Sequence, residues 1–142
     1  TDYNYNKKKN DLVKNKQIYF YGIDSKNNKF QIQNENIFFK NLGKYFMVIN
    51  PSNFVSSTVT LKFYLIFLNK GFCLNEMPEN IPPKLKNYEN YVFYKDTKDL
   101  IDKINMYKKN NELYKSIKNN LYKISKELHE EELLNFKNQF LK

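Results

Sequence analysis

The sequence predicts an α/β fold: a single Rossmann-like parallel sheet flanked by helices, with a helical C-terminus. Three observations predict it. Short apolar runs alternate with amphipathic stretches from about residue 42 onward. Tyr45 to Ile49 is continuously apolar, as in parallel strands covered on both faces. Leu113, Ile117, Leu121, Ile124 and Leu128 recur at helical intervals near the C-terminus. At 142 residues one domain is expected, large enough to bury roughly two-thirds of its unfolded surface. Residues 1–16 are set apart as a polar lead or tail, and residues 17–142 form the single α/β domain.

Taken in order, Gln17 to Ile23 has the aromatic and β-branched content of a strand, closed by Gly22 and the turn-forming cluster Asp24 to Asn28. Asn36 to Phe39 is a second short β-like segment. Leu42 to Asn50 is the strongest strand, stopped at Asn50-Pro51. After the polar loop Ser56-Ser57-Thr58, the stretch Val59 to Lys70 reads as a helix with Leu61, Leu65 and Leu68 on one face and Gly71 as its C-terminal stop. Phe72 to Asn75 is the next strand, completing β-α-β. Pro78, Pro82 and Pro83 exclude regular structure from the polar loop Glu76 to Asn90. Tyr91 to Tyr94 is a further strand. Asp96 or Thr97 then caps a helix with Leu100, Ile101, Ile104 and Tyr107 on one face, and Asp99 and Asp102 suit its dipole-positive turns. Beyond Asn110-Asn111 the five-residue apolar repeat predicts another helix, with Lys115, Lys118 and Lys126 on its wet side. A separate amphipathic piece, Glu130 to Leu141, is expected to fold back on the body.

Composition narrows the function. The net charge is +9, and all 24 basic residues are lysines. Without arginine the chain lacks the planar fork that reads guanine or phosphate bidentately, so a dedicated sequence-specific nucleic-acid reader is not expected. Lysine, asparagine, phenylalanine, tyrosine and isoleucine are all in excess and tryptophan is absent, as AT-rich coding produces. The single cysteine, Cys73, permits no internal disulfide and sits between Phe72 and Leu74 as a buried strand thiol. The longest apolar run, Val59 to Leu68, is broken by Lys62 and falls short of the ~20 residues a spanning helix needs. No membrane span is expected, and the expected location is cytoplasmic. Beginning at Thr1, the sequence is expected to be a fragment or a processed chain.

Most chemical signatures are missing. The three glycines, Gly22, Gly43 and Gly71, stand too far apart for a phosphate loop. One His and one Cys give no zinc-ligand set, so neither a metal nor another cofactor is expected. His129, beside Glu130, Glu131 and Glu132, is placed at a boundary between two helices, and the acidic run suits a helix start. The 12 tyrosines and 12 phenylalanines are expected mainly in the core, although Tyr19, Phe20 and Tyr21 beside lysines have the make-up of a stacking platform for single-stranded RNA. One loop stands out. Asn50 to Thr58 follows the carboxyl end of a parallel strand and leads into a helix whose first turn holds Ser56, Ser57 and Thr58. Its hydroxyls and unpaired N–H groups would face the crevice where α/β sheets receive anionic ligands, and the same residues read equally as a polar helix cap alone.

From Tyr45 onward the order of features resembles the C-terminal, donor-side half of B-type glycosyltransferases, including short variants of spore-coat-like and capsule type. The matching pieces are Tyr45 to Asn50 entering a polar loop, helix Leu61 to Leu68 ending in Asn69-Lys70-Gly71, strand Phe72 to Asn75 followed by Glu76, Tyr91 to Asp96, helix Thr97 to Ile104, and Asn110 to Ile117. That family places a glutamate for the donor ribose five residues before the helix-ending glycine, where this chain has Ile66; its basic residue earlier in the helix is matched approximately by Lys62. The resemblance implies a nucleotide-sugar-binding domain with Ser56, Ser57, Thr58, Lys62 and Glu76 around the sugar diphosphate. It also implies an acceptor-binding half supplied by a further N-terminal domain or a partner chain. The competing expectation is a non-catalytic basic binding or assembly module with RNA or protein as its partner.

Overall fold

The computed structural model describes residues 20–21, 30–31, 39–40, 42–51 and 58–140. Strand β1 (Phe20–Tyr21) pairs in parallel with β2 (Phe30–Gln31), Phe20 opposite Phe30, as a separate two-stranded sheet. β1 falls within the expected first strand. A strand at 30–31 was not expected. Phe39, expected as the end of a β-like segment, is helical together with Lys40; the polar lead and residues 36–38 lie outside the described residues.

The organising element is a three-stranded parallel sheet, β3 (Val48–Asn50), β4 (Cys73–Glu76) and β5 (Phe93–Tyr94), in that spatial order. Its register sets Val48, Ile49 and Asn50 against Cys73, Leu74 and Asn75, then Asn75 and Glu76 against Phe93 and Tyr94. The parallel β-α-β arrangement expected from the sequence is therefore present. Its boundaries differ. Leu42–Lys44 forms a 3-10 turn, closed by the Tyr45 N–H donating to the Leu42 carbonyl at 3.1 Å, so β3 keeps only the last three residues of the expected strand. β3 is an edge strand and half-buried, whereas the coverage on both faces expected of it belongs to β4, whose Cys73, Leu74 and Asn75 are buried.

Helix α1 (Leu61–Leu68) makes the crossover from β3 to β4. It buries Phe63, Ile66 and Phe67, not the expected Leu61, Leu65 and Leu68; Leu61 is 59% exposed. Seven of the eight residues in this helix are apolar, so two faces have helical spacing and periodicity alone could not choose between them. Ring packing decides: Phe63 stacks on Phe93 of β5 with centroids 5.8 Å apart, and Phe67 meets Phe72 at 5.6 Å.

The end of α1 is a Schellman motif. Gly71 N–H donates to the Ile66 carbonyl at 2.8 Å and Lys70 N–H to the Phe67 carbonyl at 3.0 Å. The left-handed residue is Lys70, with φ of 64°, not Gly71. Gly71 is required for a different reason: a Cβ there would meet Ile66 Cγ2 at 2.9 Å and the Ile66 carbonyl oxygen at 3.1 Å.

Between β4 and β5, the segment expected to lack regular structure carries a 3-10 helix, Pro83–Tyr88, and the short helix α2 (Glu89–Val92). Pro83 stands at the first position of that 3-10 helix, where its missing N–H has no partner to lose. Tyr91 and Val92 are thus helical, and β5 is confined to Phe93–Tyr94. Helix α3 (Thr97–Lys109) follows as expected, burying Leu100, Ile104 and Tyr107. Asp96 caps it, its carboxylate accepting from Asp99 N–H at 2.8 Å, and the Asp99 carboxylate accepts from the N–H of Lys95, the residue before the cap, at 2.9 Å.

Helix α4 runs unbroken through Asn111–Phe140, 30 residues and so about 45 Å long. Asn110 caps it through the Leu113 N–H at 3.0 Å. The expected break near His129 does not occur, because 128–132 holds neither Gly nor Pro. His129 is an exposed mid-helix residue, and the segment from 130 continues the helix instead of folding back. Ile117 and Leu121 are buried in the core, with Leu113 and Ile124 partly buried beside it. Lys84 braces the far half of α4 by contacts of 2.8 Å to Glu131 and 3.9 Å to Glu127.

Candidate functional site

Among the described residues two regions carry polar chemistry, one at each end of the parallel sheet. At the carboxyl edge the register pairs Asn50 with Asn75. Asn50 Nδ2 donates to Asn75 Oδ1 at 2.7 Å, and Asn75 Nδ2 donates to the Glu76 carbonyl at 2.7 Å. Asn75 is only 7% exposed, so these bonds are what make its burial tolerable. The amide chain holds Asn50, at the end of β3, and Glu76, at the end of β4, in fixed relative positions.

Two helix starts follow from this edge, and they differ. The first turn of α3 is closed by its own carboxylates, Asp96 and Asp99. Burial alone would raise the pKa of Asp99, but the hydrogen bond from Lys103 at 2.6 Å, the Lys95 N–H and the charges of both lysines hold it below the ordinary carboxylate value. At the first turn of α1 the cap residue, Thr60, is extended, and its side chain makes no capping bond among the described residues. The two carboxylates disfavour an anion at the start of α3.

Of the residues singled out in the sequence, Ser56 and Ser57 lie outside the described residues. Thr58 is exposed and lies three residues before α1, not in its first turn. Lys62 is exposed in that first turn, and Glu76, half-buried, ends β4. Chain direction brings Thr58, Lys62 and Glu76 to the same edge of the sheet, since α1 descends from the carboxyl edge and returns through Gly71 to the start of β4. Ile66, an apolar side chain, is fully buried in the core and does not face this edge's polar groups.

At the opposite end lies a groove of about 430 Å³ lined by Phe67, Lys70, Lys115, Lys118, Asn119 and Tyr122. None of its three lysines has a carboxylate partner among the described residues. Lys118 is the most enclosed; its ammonium stands 5.5 Å from the Tyr114 ring centroid, and burial pushes its pKa down. Beside the groove, Tyr114 stacks on buried Phe72 at 5.0 Å and on Phe46 at 4.6 Å, its hydroxyl donating to the Phe46 carbonyl at 2.6 Å. Phe46 is 39% exposed. The sequence held a signal for this groove: Lys115, Lys118, Asn119 and Tyr122 are spaced i, i+3, i+4, i+7 and so share one helical face. The expectation that put Lys118 with the solvated lysines overlooked it.

Cys73 is fully buried in β4, as expected, and burial pushes its thiol far up, opposed only in part by the Lys62 charge. Among the described residues no three His, Cys, Asp or Glu side chains converge as metal ligands, and no helix is long and apolar enough to cross a membrane. Comparison with known proteins finds no matching family model, no similar curated protein and no similar solved structure.

Proposed function

We propose that this chain is a nucleotide-sugar-binding domain similar to the donor-side half of a B-type glycosyltransferase. The observation that carries the proposal is the contrast between two helix starts on one sheet edge: α3 sealed by Asp96 and Asp99, α1 with a cap residue, Thr60, whose side chain makes no capping bond among the described residues. The sugar diphosphate would lie against the first turn of α1, its charge offset by backbone N–H groups and by Lys62. Asn50 and Glu76, held together through Asn75, would accept hydrogen bonds from hydroxyls of the donor. The order of features from Tyr45 to Ile117, which resembles that family, supports the same assignment.

In such a domain the helix start stabilises the charge that develops on the departing diphosphate. The acceptor, and the base that activates it, would come from a second domain or partner chain, and no residue of this chain is assigned that role.

Calorimetry with uridine, guanosine and thymidine diphosphate sugars tests the proposal. Binding is expected for one nucleotide class, weakened several-fold by Lys62→Gln. Absence of binding at millimolar concentration for the whole panel would remove it.

A further inference from the structure

We propose that the lysine-rimmed groove between the end of α1 and the first half of α4 binds single-stranded nucleic acid, with phosphates on Lys70, Lys115 and Lys118 and bases on Tyr122 and Phe46. This site is independent of the nucleotide-sugar reading and lies at the other end of the sheet.

Three features converge on it. The first is uncompensated charge. Three ammonium groups line one groove, none with a carboxylate partner among the described residues, although Lys84 and Lys103 elsewhere both have one. The second is the cost accepted to place one of them. Lys70 occupies a left-handed position that glycine would fill without strain, and the lysine side chain is thereby set on the groove rim.

The third is the alternation of rings and cations. Tyr114, Lys118 and Tyr122 follow one another at four-residue steps on α4, about 6 Å apart along its axis. Tyr114 is itself stacked against Phe46, so the series ends at an exposed ring. Alternating rings and cations suit a strand whose bases are free to stack while its phosphates follow the lysines. A duplex hides its base faces and would use only the lysines. A lone phosphate would ignore the rings. Because lysine is a point charge without the bidentate fork, recognition is expected to tolerate sequence.

Fluorescence anisotropy with labelled twelve-nucleotide oligouridine and oligothymidine tests the proposal, the two arms separating RNA from DNA. Three phosphate contacts on a single strand predict about a 20-fold loss of affinity between 50 and 200 mM salt, reduced to about sevenfold in Lys118→Gln. Tyr122→Leu is expected to weaken binding about tenfold while leaving the salt dependence unchanged. Circular dichroism checks that both variants fold, and a conservative second replacement, Tyr122→Phe, is expected to restore binding. The proposal is overturned if neither oligonucleotide binds at 50 mM salt, if Tyr122→Leu has no effect, or if a twelve-base-pair RNA duplex or phosphatidylserine vesicles bind as tightly as the single strand. Groove variants are expected to leave nucleotide-sugar calorimetry unchanged, so either proposal can fail without the other.

Discussion

Replacing Gly71 with alanine tests the packing at the return from α1 into the sheet. The added Cβ would lie 2.9 Å from Ile66 Cγ2, 3.1 Å from the Ile66 carbonyl oxygen and 3.4 Å from Leu42 Cδ2. Ordinary carbon contacts are ~3.5–4.0 Å. Neither close neighbour can yield cheaply. Ile66 Cγ2 is fixed on a β-branched carbon in the core, and the Ile66 carbonyl already accepts the Gly71 N–H. Overpacking of this kind costs about 2 kcal/mol, which lowers a urea midpoint by about 1 M at unchanged slope. In an Ile66→Leu background the β-methyl is gone, so the penalty of Gly71→Ala should fall by at least half. Lys70→Gly should move the midpoint the other way, by about 1 kcal/mol, because it relieves the left-handed backbone. Urea titration followed by circular dichroism at 222 nm reads the parent and all four variants, Ile66→Leu alone included. A Gly71→Ala variant within 0.5 kcal/mol of the parent, or a penalty unchanged in the Ile66→Leu background, would refute the reasoning.

Three further outcomes are expected. Ser125 is buried in α4 and its hydroxyl has no hydrogen-bond partner among the described residues; Ser125→Ala should stabilise by about 1–2 kcal/mol and raise Tm by about 3–8 °C in calorimetry. Phe63→Ala should destabilise by about 3–5 kcal/mol, whereas Leu61→Ala should stay within about 0.5 kcal/mol, a contrast measured in the same urea assay. Asp99 has a folded-state pKa below its ordinary value. The unfolded chain therefore binds its proton first as pH falls, so the stabilisation is complete above the ordinary value and disappears as pH drops through the lower, folded one. Asp99→Asn should accordingly lose stability at neutral pH and show a shallower decline between about pH 5 and 2 in thermal melts.

What could be read from the sequence followed from how unambiguous each local pattern was. The capped helix at Thr97 was legible because Asp96, Asp99 and the Leu100, Ile104, Tyr107 face agree with one another. The parallel sheet was legible from the alternation of apolar runs with helices, and Gly71 marked the right turn for the wrong reason. The buried face of α1 was not legible, since an octapeptide with one lysine offers leucines on one side and rings on the other. The Pro83 segment was misread because proline at the first position of a 3-10 helix starts structure instead of breaking it. At the candidate site, Asn50 was visible only as a strand end. Its pairing with Asn75 depends on register, which no local pattern encodes. The lysine groove needs Lys70 from one helix and Lys115 and Lys118 from another, so only the packing of α1 on α4 assembles it.

The anion preference of the two helix starts is most directly tested by amide NMR of the labelled protein titrated with uridine, guanosine and thymidine diphosphate in turn. For at least one of them, saturable shifts are expected at Val59, Thr60, Leu61 and Lys62 and in the Asn50 and Asn75 side-chain amides, with Thr97 to Leu100 undisturbed. No saturable shift at the start of α1 with any of the three, or shifts concentrated at the start of α3, would contradict the proposal that the first turn of α1 at the carboxyl edge receives the diphosphate.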